Sequence, residues 1–179
     1  MFRERREERR EERRGGGTTH YQMRQKLVSI GDDFWIEDDH GNRAYKVDGK
    51  AIRVRDTLIF EDAHGTELAK IQTRVARVRD TMEIEGPDGS TVATVKKAVV
   101  SQIRDRFTVK VGNGPDLEVK GNILDHEYTI EGDGGKAAEV SKKWFRVADT
   151  YGVEVGDGQN PVLILAVTTV LDMMVNEGR

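Results

Sequence analysis

Beyond Tyr21 the chain alternates apolar and polar residues with period two, and the alternation recurs. The stretches "DFWIED", "TLIFED", "TMEIEG", "RFTVKV", "EYTIEG" and "TYGVEV" stack without gaps. Their apolar pairs are Phe34 and Ile36, Leu58 and Phe60, Met82 and Ile84, Phe107 and Val109, Tyr128 and Ile130, and Tyr151 and Val153. Each pair is followed by a charge: Glu37, Glu61, Glu85, Lys110, Glu131 or Glu154. Such spacing puts one face of a strand in a core and the other in water. The pairs start 24, 24, 25, 21 and 23 residues apart, a period that marks a repeat architecture.

Every one of these strands runs into a turn built from Gly, Asp, Asn or Pro, among them "DDHGN", "DAHG", "GPDG" and "GDGG". Those residues accept the positive backbone angles of tight hairpins. A second, Val-rich strand follows each turn, as in "ELAKIQTRVARVR" and "TVATVKKAVVSQIR", and "YQMRQKLVSI" opens the series as a strand of this second type. Six strands of each type make twelve. A flat sheet of that size leaves an apolar face and two edges exposed, so closure into an antiparallel barrel is the expectation. A closed barrel of that width needs something to fill it.

The filler is the segment "NPVLILAVTTVLDMMVNEGR". Asn160 suits a helix N-cap and Pro161 the first helical position, giving a helix over 161–177. Thr168, Thr169, Asp172 and Asn176 cover a narrow polar stripe, and the rest is apolar. A helix apolar nearly all round is buried, in a protein or in a membrane. The run from Pro161 to Val175 falls short of the roughly 18–20 residues that span a bilayer, so no transmembrane segment is expected. At about 25 Å the helix has the length to thread a barrel.

Residues 1–19 break the pattern. "RERREERREERR" repeats Arg and Glu with period four and has no apolar face, and "GGG" follows, so a solvated arm on a flexible linker precedes the domain at 20–179. The formal net charge of -3 forces neither polyanion nor polycation binding and argues against nucleic acid as a partner. No cysteine is present and the N-terminus lacks an apolar signal core, which points to a cytoplasmic protein, free or peripheral to a membrane.

The stretches "SIGDDFWIEDDHGNRAYKVDGKA", "AEVSKKWFRVADTYGVEV" and "VLILAVTTVLDMMV", with the repeated "RVRDT", resemble the LURP-one-related family from about Tyr21 to Val175. The family is itself similar to the tubby C-terminal domain and the phospholipid scramblases. That resemblance implies a twelve-stranded barrel around a hydrophobic C-terminal helix. It also implies an affinity for phosphoinositide or other phospholipid surfaces, and for some relatives a link with calcium.

The residues give no sign of catalysis. The chain has no phosphate-cradling loop, no HExxH and no GxSxG, so neither catalytic residues nor a cofactor are expected. His40 and His64 occupy matching turns and read as turn residues, and no third group has metal spacing, so no metal site is expected. The aspartates Asp32, Asp56, Asp80, Asp105, Asp125 and Asp149 recur at the connections, where turn capping explains them better than calcium does. Asp172 is the one ionisable group whose burial should perturb it, with an Arg or a backbone amide as its expected partner.

Because the first-type strands all run one way, acidic turns gather at one end of the barrel. The other end collects Arg53, Arg55, Arg77, Arg79, Arg104, Arg106, Lys142, Lys143 and Arg146, with Trp144 beside them. A basic rim of this kind would suit an anionic lipid head group or a nucleic-acid backbone, the membrane surface being the expected one. Its expected contact residues are Arg53, Arg55, Arg77, Arg79, Lys142, Lys143, Trp144 and Arg146. The alternative is a scaffold for a protein partner.

Overall fold

A computed structural model describes residues 17–24, 33–49, 57–72, 80–101, 104–145 and 149–176. Among these residues are twelve strands and one α-helix. The strands are β1 (Thr19–Arg24), β2 (Phe34–Asp38), β3 (Arg43–Asp48), β4 (Thr57–Asp62), β5 (Glu67–Gln72) and β6 (Thr81–Glu85), followed by β7 (Thr91–Ser101), β8 (Arg104–Val111), β9 (Leu117–Asn122), β10 (Glu127–Gly132), β11 (Gly135–Ser141) and β12 (Thr150–Val155). Each pairs antiparallel with its sequence neighbours, and β1 closes the barrel on β12 through six residue pairs from Thr19↔Val155 to Arg24↔Thr150. Of the two Val-rich stretches, the first carries β5 over Glu67–Gln72 and the second β7 over Thr91–Ser101.

The barrel interior takes eleven of the twelve apolar positions picked out by period two, from Ile36 at 0% exposure to Met82 at 3%, with Phe34 packed at the edge. Through their middle passes α1 (Pro161–Asn176), and Ile164, Leu165, Val167, Val170 and Leu171 on it are buried. The helix begins because Asn160 Oδ1 accepts the N–H groups of Val162 at 3.0 Å and Leu163 at 3.3 Å, which the first turn cannot satisfy internally. Its two threonines shed their polarity on the helix itself: Thr168 donates to the Ile164 carbonyl and Thr169 to that of Leu165, each at 2.9 Å. Each fully buried aliphatic or aromatic side chain contributes roughly 1.5–3 kcal/mol, so the interlocked wall and helix stabilise each other.

One end of the barrel carries short, near-identical turns. Gly41, Gly65 and Gly89 sit there at φ +78°, +84° and +80°, and each donates its N–H to the carbonyl three residues back. Just before these turns the register slips after Ile36, Phe60 and Ile84, and again after Ile130, at the same place in four of the five hairpins of this end. The extra residue of each bulge, Ala44, Leu68, Val92 or Ala137, lies on the strand that leaves the turn, and it adds to the local twist of the strand pair. Where a sixth hairpin would follow β12, Asn160 starts the helix instead. The helix therefore enters at this tight end and runs to the opposite end, where the second-type strands finish.

Candidate functional site

Two groupings occupy the end at which α1 finishes, one inside the wall and one outside. The inner one centres on Asp172. Its Oδ1 lies 2.9 Å from His126 Nε2, and its Oδ2 accepts from the Tyr151 hydroxyl at 2.5 Å. The His126 and Tyr151 rings stack with centroids 4.2 Å apart. His126 and Asp172 are 5% and 2% exposed. The expected partner of Asp172, an Arg or a backbone amide, is thus corrected to an imidazole and a phenol. An Arg fork needs space that this packed interior lacks, whereas flat rings on the wall reach the helix without displacing aliphatic neighbours.

Burial pushes the Asp172 carboxyl above its ordinary range, and the hydrogen bonds from His126 and then Tyr151 oppose that shift. Burial also raises the Tyr151 and Tyr128 hydroxyls well above theirs, with the Asp172 charge adding to the effect. The Tyr128 hydroxyl and His126 Nδ1 find no hydrogen-bond partner among the described residues. His126 adopts φ +52°, a left-handed conformation that His tolerates better than most residues, and this turns its ring inward. The arrangement can hold a proton and tie the helix to the wall.

The outer grouping lies on the connections from β9 to β10 and from β11 to β12. Lys142–Trp144 form a short 3-10 turn, capped by the Ser141 hydroxyl accepting from Lys143 N. Lys143 projects outward, its side chain 82% exposed. Trp144 and Phe145 lie on the outer wall over Gly152, where a Cβ would meet Trp144 at 2.6 Å and Phe145 at 2.7 Å. The Trp144 indole also meets His20 edge-on at 5.9 Å, so it straddles the seam between β1 and β12. Leu124, in the neighbouring turn, is 47% exposed and Trp144 39%.

Of the residues expected at the basic end, Lys142, Lys143 and Trp144 form this one turn, and Arg104 and Arg106 lie at the start of β8. Arg53, Arg55, Arg77, Arg79 and Arg146 lie outside the described residues, as do residues 1–16 of the arm. Period two picked Tyr128 and Ile130 as inward, and counting back two residues from Tyr128 would have put His126 inside as well. Leu124 and Glu127 carried no comparable signal.

Elsewhere, side-chain charges are paired along the wall. Lys46 lies 3.2 Å from Glu61, Lys120 2.6 Å from Glu131, and His20 2.9 Å from Glu154. Arg43 stacks over Trp35 at 4.7 Å beside a polar groove of about 280 Å³ that Gln22, Arg24 and Glu37 also line. Asp38, Asp39 and His40 form the one group among the described residues able to bring three ligand atoms within 4.8 Å. Asp38 Oδ1, however, already accepts from His40 N at 2.9 Å and Asn42 N at 2.8 Å. Hydrogen bonds from Asn42 and His40 hold that carboxyl below its usual range, as backbone and side-chain bonds do for Asp62 and Asp88 in the matching turns.

A closed antiparallel barrel of twelve strands wound around a hydrophobic C-terminal helix defines the tubby-like class of folds. Within that class the chain belongs to the LURP-one-related family, whose model matches residues 19–172. A protein of Arabidopsis thaliana with a solved X-ray structure is similar in fold, with a TM-score of 0.66 and 19% sequence identity over 90% of this chain and 92% of that one. No curated protein matches in a sequence search. Among the described residues no helix is long and apolar enough to cross a membrane.

Proposed function

We propose that this protein is a non-catalytic binding module that docks peripherally on anionic phospholipid surfaces with the end of the barrel where α1 finishes. The observation that carries the reading is the placement of Leu124 and Trp144. They are the two large apolar side chains exposed among the described residues, and both lie at that end, on connections next to each other. Lys142 and Lys143 precede Trp144 in the same turn. An indole beside ammonium groups, with an exposed leucine at the same end, suits the boundary between head groups and acyl chains, where apolar atoms leave water while cations meet phosphate. A nucleic-acid backbone would use the cations and leave Leu124 in water. The non-catalytic part of the reading is supported by the interior, where α1 takes the space a substrate would need and buries its one carboxylate.

Flotation of the purified protein with neutral and with anionic vesicles, at low and near-physiological salt, tests the proposal. Expected is flotation with anionic vesicles alone, persisting at the higher salt and lost in a Lys142→Glu/Lys143→Glu variant. Protein that stays at the bottom in every condition overturns it and directs the search to a protein partner.

A further inference from the structure

The basic turn already holds an anion of its own. Glu127, the first residue of β10, turns its carboxylate toward the β11–β12 connection, where Ser141 Oγ donates to its two oxygens at 3.0 and 2.9 Å. Its Oε1 also accepts from Lys142 N at 3.2 Å, and Lys143 Nζ stands 3.9 Å from Oε2. The carboxylate is thus fixed by neutral donors and held against the cation that the membrane reading needs. Lys143 is too exposed for this ion pair to be strong, so an approaching phosphate can compete for the ammonium while Glu127 stays anchored on Ser141 and Lys142.

We infer, building on the proposed membrane docking, that Glu127 is an affinity-setting counter-charge: it weakens the attraction of the Lys142–Lys143 turn for any negative surface and so raises the anionic lipid content needed for docking. One charge at such a surface changes affinity roughly five-fold. Glu127→Gln removes the charge and keeps an oxygen to accept from Ser141 or Lys142. Asp133→Asn makes the same change of net charge at the far, tight end of the barrel. Ser141→Ala frees the carboxylate without altering charge.

The experiment measures the partition of each protein onto phosphatidylcholine vesicles with graded phosphatidylserine, across a salt series, with thermal melts confirming that each variant folds. Expected is binding of Glu127→Gln roughly five-fold tighter than wild type, with a steeper salt dependence. Asp133→Asn and Ser141→Ala should stay within about two-fold of wild type. Unchanged affinity in Glu127→Gln overturns the inference and leaves the docking intact. An equal gain in Asp133→Asn overturns it in favour of net charge, and an equal gain in Ser141→Ala in favour of turn mobility. Binding by neither wild type nor Glu127→Gln overturns the docking and the inference together, whereas binding by the variant alone supports both. Added inorganic phosphate separates the two sources of anion: release of bound protein at matched ionic strength would show a site for the free ion and overturn the surface reading.

Discussion

The two ends of this barrel are built on opposite principles. At the tight end each turn satisfies itself: Asp62 Oδ1 takes the N–H groups of His64 at 2.8 Å and Thr66 at 2.9 Å, and Gly65 supplies the left-handed residue, all within five positions of chain. At the other end satisfaction comes from far away. His126 reaches Asp172 across 46 residues of sequence, and Tyr151 reaches it across 21. The first end repeats because a local solution can be copied; the second cannot be copied, and it gathers the exposed Trp144, Leu124 and Lys143. Regularity marks the scaffold, and its loss marks where this chain differs from a generic barrel.

Substitutions at each end can break that comparison. The largest effect should come from His126→Ala, which leaves Asp172 buried with half its partners: a loss of roughly 3 kcal/mol in urea unfolding, because removing one member of a buried pair leaves the other uncompensated. A loss no larger than that of Gly65→Ala would remove the advantage of the long-range contacts over the local ones. Gly65→Ala itself should cost about 1 kcal/mol; its Cβ meets nothing within 4 Å, so the cost is the φ of +84° alone.

Smaller at neutral pH, but diagnostic in its pH dependence, is Asp172→Asn, which keeps an acceptor for Tyr151. The folded Asp172 carboxyl titrates above its unfolded value, so its favourable contribution is complete below the unfolded pKa and lost as pH rises through the folded one. Asp38, Asp62 and Asp88 are shifted down, so theirs is present above the unfolded pKa and lost as pH falls through the folded one. The Asn variant should therefore gain stability relative to wild type as pH rises from the acid side, while Asp62→Asn should lose its disadvantage in acid. Parallel melting curves for wild type and Asp172→Asn from acid to neutral pH would refute the contrast. Least affected in stability should be Lys142→Glu/Lys143→Glu, within about 0.5 kcal/mol of wild type although its vesicle binding is expected to vanish.

The same contrast explains what could be read in advance. Period two and the repeated turns disclosed all twelve strands, and the cap at Asn160 disclosed the helix, because each signal lies within a few residues of what it specifies. Asp172 stood out as a carboxylate on an apolar helix, but its partners did not, since nothing local ties position 126 or 151 to position 172. The outward pose of Lys143 depends on how Gly152 lets Trp144 and Phe145 lie against the wall. That fit belongs to three dimensions and leaves no periodic trace.

The closure of β1 on β12 also has a temporal meaning. Thr19 leaves the ribosome well before its partner Val155, which comes just ahead of the helix that fills the core. Until then the nascent chain can hold hairpins and little else, with an apolar interior face open to chaperones and to its neighbours. A chain arrested before Pro161 should remain sensitive to protease and become resistant only once the helix that follows β12 is threaded, so that protection arrives in a single step.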